Sequence, residues 1–523
     1  MQYNLAYGRG QLTVELPEEN VAKVLNIHSA PAVEDPMDAV FDVLEDPIEA
    51  EPLAAIAEGK KSACVVICDI TRPVPNDLVL PPILQTLEDA GIDPQKITIL
   101  IATGLHRSST PEERVEILGE DLLGRKYKVI DHNAKKLHQH EYLGVTKSGT
   151  PIWIDRRYLE ADVKVLTGLI EPHFMAGFSG GRKLICPGIA AAETICPWHS
   201  PKLLEHENAR YGCLEGNPVH SEQMEIARKA GCDFIVNVVL NQERKIVAVV
   251  GGEMNRAHLK GVAIARKLAV DMVEKPADIV VTSGAGYPLD KTWYQTIKGI
   301  VGAAEILKPG GTIVIASECS EGVGSKEFEE IAGKFPSLDE FMEAITTEEF
   351  FSVDQWQVEE LAKALRRGKV KVVTQGVLPE VLQQYFVEPA ETVEEAVKEA
   401  MKKYGAEAKI VVIPDGPYVL AELPESEKEI IRKETVRKEP VKKELVKKET
   451  VKKEAAAEKE VITKQPKKKE GVKTEAAEKE PVKKATAKKA AVKKEPVKKK
   501  TVKKETAKKE TKKAVKKKAA KGA

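Results

Sequence analysis

Short, nearly unbroken apolar runs recur along the first half of the chain, at 63–67, 97–102, 127–130 and 163–167. Such runs predict strands buried on both faces, as in a parallel sheet. Helical patterning separates them at 36–59, 77–90 and 110–119. The last opens on Thr110-Pro111-Glu112-Glu113, a capping residue followed by proline at the first helical position. Residues 3–16 alternate and end at Pro17, which predicts an edge strand or hairpin. Residues 233–240 and 245–250 read as a strand pair, and 255–273 as a long helix leaving the first domain.

A second alternation follows. Strands are expected at 278–282, 312–316, 370–374 and 409–413, with helices at 291–307, across 326–346 and at 355–366. Alternating strands and helices imply an α/β fold. The expectation is two domains with mostly parallel sheets flanked by helices and an active-site cleft between them. The first would span residues 1–265 and the second 266–424, the boundary falling near 265–276.

Beyond residue 424 the pattern stops. Units such as VKKE, PVKK and TAKK repeat to the end, and large apolar side chains nearly vanish. Such a segment cannot bury enough apolar surface to offset its ordering entropy, so 425–523 is expected to be a disordered, low-complexity basic tail. It also changes the charge picture. The tail holds 37 Lys and Arg against 17 Asp and Glu, net +20, leaving 44 against 64, net −20, in the body. The formal net charge of zero therefore says nothing about partners. A solubilising appendage is the favoured reading of the tail. Weak polyanion contact is the alternative, although lysines interleaved with glutamates, without aromatics, offer no base-stacking platform.

Seven cysteines without a CxxC pair argue against a disulfide scaffold and for a reducing compartment. The N-terminus lacks the basic and apolar regions of a signal peptide, and no apolar run approaches the roughly 20 residues that span a bilayer. A soluble, cytoplasmic body is expected. No GxGxxG is present, so dinucleotide chemistry lacks its fingerprint.

The densest chemistry lies in residues 171–200, EPHFMAGFSGGRKLICPGIAAAETICPWHS. Gly177, Gly180 and Gly181 allow close backbone approach to a ligand. Lys183 follows them, but the phosphate-loop pattern fails: Arg182 stands where its second glycine belongs, and Leu184 replaces Ser/Thr. An ordinary lysine is a solvated cation. One among glycines also suits covalent cofactor attachment.

Polar groups cluster after three predicted strands: Asp69, Thr71 and Arg72 after the first, His106 after the second, and His173 after the strand that delivers the central loop. Strand C-terminal ends are where open α/β sheets bind ligands. Of ten histidines, His28, His132, His138, His140, His206, His220 and His258 take the default structural or surface reading. His106, His173 and His199 sit in Gly/Pro-rich, strand-following segments. Imidazole transfers protons near neutral pH, and two on opposite faces of a substrate suit a racemase or epimerase. His199, held in PWHSP, suits a borderline metal such as Ni, Cu or Zn. In YPLDKTWYQTIKG, Gln295 and Lys298 share a helix face beside Tyr294, and Asp290 is the expected N-cap. An ordinary amphipathic helix explains that segment equally well. Trp356 reads as core.

CDITRPVPN, ATGLHR, EPHFMAGFSGGRKLICPGIA, PWHS, YPLDKTWYQTIKG and DQWQ occur in this order. Together they resemble the nickel-pincer-nucleotide-dependent lactate racemase family across about residues 3–414, excluding the tail. The resemblance implies an isomerase that racemises a small 2-hydroxy acid, lactate by default, by proton-coupled hydride transfer. It implies nickel in a pyridinium-3-thioamide-5-thiocarboxylic acid mononucleotide covalently bound to Lys183, with His199 as protein ligand to the metal. His106 and His173 match the catalytic histidines. Arg72, Tyr294, Gln295, Lys298 and Trp356 match substrate-site positions. Asp69, Thr71, Gly177, Gly180 and Gly181 fall in the cofactor-binding motifs. Cofactor-maturation enzymes become expected partners. Another 2-hydroxy acid or a sugar acid is an alternative substrate. An inactive binding protein with a polyanion-binding tail is the alternative of another class.

Overall fold

The computed structural model describes residues 1–431. The expectations for the tail lie outside the described residues from residue 432 onward.

Two six-stranded sheets organise the chain. The first runs Ile246–Gly252, Phe234–Leu240, Val163–Leu169, Ala63–Cys68, Ile97–Ala102 and Lys128–Asp131. All neighbours are parallel except the first pair, the expected strand pair, which is antiparallel. Ala63–Cys68 shows why these strands read as apolar runs: Cys64 and Val66 enter one core and Ala63, Val65 and Ile67 the opposite one. Both faces are covered, as parallel strands require.

Strand order in this sheet reverses between Ala63–Cys68 and Val163–Leu169, whose intervening chain forms the other flank. The two C-terminal ends diverge there and open a crevice, the usual ligand position in such sheets. Asp69–Arg72 and the 170–184 loop leave the sheet at this point.

The second sheet runs Glu388–Pro389, Gly368–Val373, Leu307–Ala316, Ala277–Ser283, Ile410–Ile413 and Val21–Val24, all parallel. The first residues of the chain thus pack with this sheet. The hairpin Gln2–Tyr7 and Gly10–Glu15 also contributes Leu5 and Val14 to a core with Ile279, Val281 and Val412. One large apolar cluster joins the facing layers of both sheets, including Val66, Leu100, Leu166, Ile297, Ile313 and Trp356.

Helix boundaries follow caps more closely than periodicity. Pro111–Leu123 begins with the expected capping box, Thr110 and Glu113 bonding reciprocally. Trp293–Ala304 is capped by Thr292, which accepts from the Gln295 N–H; this corrects the expected Asp290 cap. Asp290 is instead fully buried, and its Oδ2 accepts from the Gly8 and Glu318 N–H groups. All seven cysteines are free thiols, and among the described residues no helix is long and apolar enough to cross a membrane.

Candidate active site

The loop after Val163–Leu169 is tied at its base by Ser179. Its hydroxyl donates to the Leu169 carbonyl at 2.7 Å, its N–H donates to the Glu171 carbonyl at 2.9 Å, and the Glu171 N–H reaches its Oγ at 3.0 Å. Inside this clasp, Pro172–His173 pairs with Gly177–Phe178 in a two-residue ladder that projects His173. Gly180 lies at φ +80°, and a side chain there would meet Asn237 Oδ1 at 2.8 Å. That turn leads into the short helical segment Gly181–Leu184 and aims Lys183 inward. Arg182 is buried beneath, its Nη2 donating to the Ala176 and Phe178 carbonyls at 3.0 Å.

These elements open on a chamber of about 940 Å³, counting its mouth. Asp69, Thr71, Arg72, His106, His173, Gly180, Lys183 and His199 line it from the first sheet's side. Tyr294, Gln295, Lys298 and Trp356 line it from the helices Trp293–Ala304 and Gln355–Arg367. Gly177 and Gly181 do not: Gly177 packs against the Cys213 carbonyl and Gly181 against the His258 ring.

Hydrogen bonds assign the histidine tautomers. Asp69 Oδ2 lies 2.7 Å from His106 Nδ1, and a carboxylate only accepts, so that nitrogen carries the proton. His106 Nε2 is left with its lone pair, 3.5 Å from the Gln295 amide nitrogen. Burial opposes ionisation of Asp69, but His106, Thr71 and Arg72 hold its carboxyl below the ordinary range. His173 is the reverse case. Its Nδ1 faces the Met175 and Ala176 N–H groups at 3.4 and 3.3 Å, so Nε2 bears the hydrogen and points at Lys183 Nζ, 3.1 Å away. Burial, then the nearby Lys183 and Lys298, keep this imidazole neutral. Burial, with Arg72 and Arg182, also lowers the Lys183 amine to about 7.

His199 Nδ1 lies 2.9 Å from the Ile195 carbonyl and donates to it. Burial takes its pKa to about 3, so Nε2 is a permanent lone-pair donor. Trp356 stacks on the ring at 4.2 Å and 13°, and donates its Nε1–H to the Tyr294 hydroxyl at 2.9 Å.

Arg72 is held on two sides. Its Nε meets Glu171 Oε1 at 2.8 Å, and its Nη1 donates to the Thr71 carbonyl at 3.2 Å. These contacts engage Nε and Nη1 and fix the guanidinium plane. Lys298 is pushed well below its ordinary pKa by burial and Arg72, against the pull of Glu171. This grouping of a fixed guanidinium, two buried amines and three imidazoles suits proton transfer on a small anion.

The family comparisons decide the assignment. Residues 7–212 match the model "Lactate racemase N-terminal domain", and residues 272–421 match "Lactate racemase C-terminal domain". The chain belongs to the lactate racemase family. It is 37% identical over 420 residues to the lactate racemase of Thermoanaerobacterium thermosaccharolyticum, covering 80% of this chain and 98% of that protein. It is 34% identical over 425 residues to the lactate racemase of Lactiplantibacillus plantarum, covering 80% and 99%. The structure of the lactate racemase apoprotein from T. thermosaccharolyticum superposes with a TM-score of 0.75 at 36% identity, over 81% of this chain and all of that one. A Thermotoga maritima protein shares the fold at 18% identity, TM-score 0.58, over 76% and 100%.

Three residues of this lactate racemase family site carry no sequence signal that singled them out. Glu171 opens the loop but shows its role only through Arg72. Asp354 lines the chamber, lies at φ +69° and accepts a hydrogen bond from the Ser325 hydroxyl. Gln357 donates to the Tyr294 carbonyl at 2.6 Å. A positive-φ aspartate just before a helix is invisible without coordinates, although DQWQ did mark the neighbourhood.

Proposed function

We propose that this member of the lactate racemase family interconverts the enantiomers of lactate, using His106 and His173 as the two proton-transfer groups. The observation that carries the reading is their convergence on one chamber that also holds Arg72, Lys298, Lys183 and His199.

The residues fit the implied cofactor. Lys183 offers a buried amine that is about half neutral near pH 7 and therefore nucleophilic there, and His199 offers one committed lone pair. Lys183 would hold the nickel-pincer nucleotide covalently, and His199 would ligate its nickel. When bound, this group supplies a reversible acceptor for the hydride on the substrate's α-carbon.

The chain's own residues do the rest. Arg72 and Lys298 grip the substrate carboxylate and keep the planar keto acid from leaving between proton transfers. His106 Nε2, its proton placed on Nδ1 by Asp69, accepts the hydroxyl proton. His173 serves the opposite enantiomer. Acylating Lys183 removes the partner of its Nε2–H, and the ring accepts the hydroxyl proton at Nε2 once that hydrogen has moved to Nδ1, giving up the long contacts from the Met175 and Ala176 N–H groups. Gln295 orients His106, while Trp356 and Tyr294 brace His199. Asp69, Thr71 and Gly180 line the cofactor's side of the chamber.

The two sheets correspond to the two proposed domains, with residues 1–25 joining the second. Cytoplasmic residence and dependence on cofactor-maturation enzymes belong to the same reading. The test is conversion of L- and D-lactate by protein coexpressed with cofactor-making enzymes. Both should reach the same near-equal mixture, and His106→Ala and His173→Ala should each lose at least 100-fold, the low end of positioned acid–base catalysis. Loaded protein that leaves both enantiomers unchanged defeats the reading. His199→Ala should fold but lose its nickel.

A further inference from the structure

Away from the chamber, three side chains of metal-ligating type come together. His132, His140 and Asp155 are buried, and one ligand atom from each falls within 4.8 Å of the others. None lines the chamber. His132 follows the edge strand Lys128–Asp131, His140 opens the strand His140–Val145, and Asp155 closes its partner Pro151–Asp155.

The proton positions are informative. His140 Nδ1 lies 3.0 Å from the Lys136 carbonyl and must donate to it. Its Nε2 is therefore a lone pair, and it faces His132 Nε2 at 2.9 Å with the rings nearly perpendicular. Without a metal, His132 Nε2 has to carry the proton between them. His132 Nδ1 is then a bare acceptor, buried with no hydrogen-bond partner.

We propose that His132 Nε2, His140 Nε2 and Asp155 Oδ2 bind a divalent cation of the zinc or nickel type, with water completing the coordination. Two imidazoles and a carboxylate are a donor set these ions take. Metal at both Nε2 atoms moves the His132 proton to Nδ1 and keeps His140 oriented by its bond to the Lys136 carbonyl, the outer-shell pattern of ligating histidines. Asp155 Oδ1 stays with Arg157, accepting its N–H at 2.9 Å and Nε–H at 2.8 Å, while Oδ2, which also accepts from Arg157, turns to the ion. Zinc–nitrogen bonds of about 2.0–2.1 Å in a tetrahedron place two nitrogens roughly 3.3 Å apart, so the rings separate by about half an ångström.

The position gives the ion a structural role. The His132 N–H donates to the Ile101 carbonyl and the Thr103 hydroxyl to the His132 carbonyl at 2.8 Å, at the root of the His106 loop. The Asp155 N–H donates to the Ile189 carbonyl, just past Lys183. The cation would staple the hairpin to both.

The test uses full-length protein made without cofactor-making enzymes, stripped with chelator, titrated with Zn²⁺ and desalted before metal analysis. A His199→Ala background removes the chamber's own ligand. That protein should retain one equivalent of zinc and melt at higher temperature with zinc than without. His132→Gln or His140→Gln in the same background should lose the equivalent and the shift, with circular dichroism verifying the fold. Asp155→Asn should weaken zinc affinity 10- to 100-fold. No retained zinc in His199→Ala, or full retention after His132→Gln, overturns the site.

Discussion

Lys183 Nζ lies 3.1 Å from His173 Nε2, so the proposed anchoring amine and one proposed proton-transfer imidazole begin as hydrogen-bond partners. Burial and two arginines bring the amine to about 7, below which it is protonated and inert. In cofactor-free protein, acylation of Lys183 by acetic anhydride should therefore reach half its plateau rate near pH 7, read by peptide mass. An ordinary lysine reaches it near pH 10.4. A profile matching surface lysines would contradict the assigned amine state.

Asp69 fixes the His106 tautomer through a 2.7 Å bond. Asp69→Asn keeps the shape but can offer its NH₂ group to Nδ1, which favours the proton on Nε2. The base is then turned off at the face it presents. Turnover with saturating lactate should fall about 100-fold, within the range of positioned acid–base catalysis, while KM changes little. Equal turnover would remove Asp69 from the machinery.

Glu171 stands behind the cations. Burial raises its own pKa, and its charge pulls the depressed Lys298 upward. Arg72, Lys183, Arg244, Tyr211 and Tyr418 complete the titratable surroundings. Removing the negative charge lowers the Lys298 pKa further, so its protonated form is lost at lower pH. In Glu171→Gln the alkaline limb of kcat/KM for lactate should move to lower pH, with KM rising. An unmoved limb would separate Glu171 from the carboxylate grip.

Glu113 links the His106 loop to the second sheet's elements, bonding Arg107 at 2.7 Å and Lys291 at 3.0 Å. Arg107, against burial, holds its pKa at about 2. The folded value lies below the unfolded one. The stabilisation is thus fully present above about pH 4.5 and is lost as pH falls toward 2. Glu113→Gln should lower neutral-pH stability by about 1 kcal/mol, the upper size of a partly exposed ion pair, and flatten the acid-side decline of Tm. An unchanged slope would contradict the linkage.

Local pattern explains what could be read early. The strands before Asp69, His106 and His173 are apolar on both faces, so their polar ends stand out, and the chamber forms where those ends meet. Val21–Val24 gave no such sign: VAKV is short and half-exposed, and only its pairing with Ile410–Ile413 makes it a strand of the second sheet. Asp290 looked like a cap because helix starts favour aspartate, yet its partners are Gly8 and Glu318, remote in sequence. The Arg72–Glu171 and Tyr294–Trp356 pairs were hidden for the same reason.

The anchoring role of Lys183 is tested most directly by intact-protein and peptide mass on material coexpressed with cofactor-making enzymes. The wild-type chain should carry added mass on the peptide containing Lys183, and Lys183→Ala should carry none. Added mass that survives the substitution, or that maps to another peptide, would contradict the account.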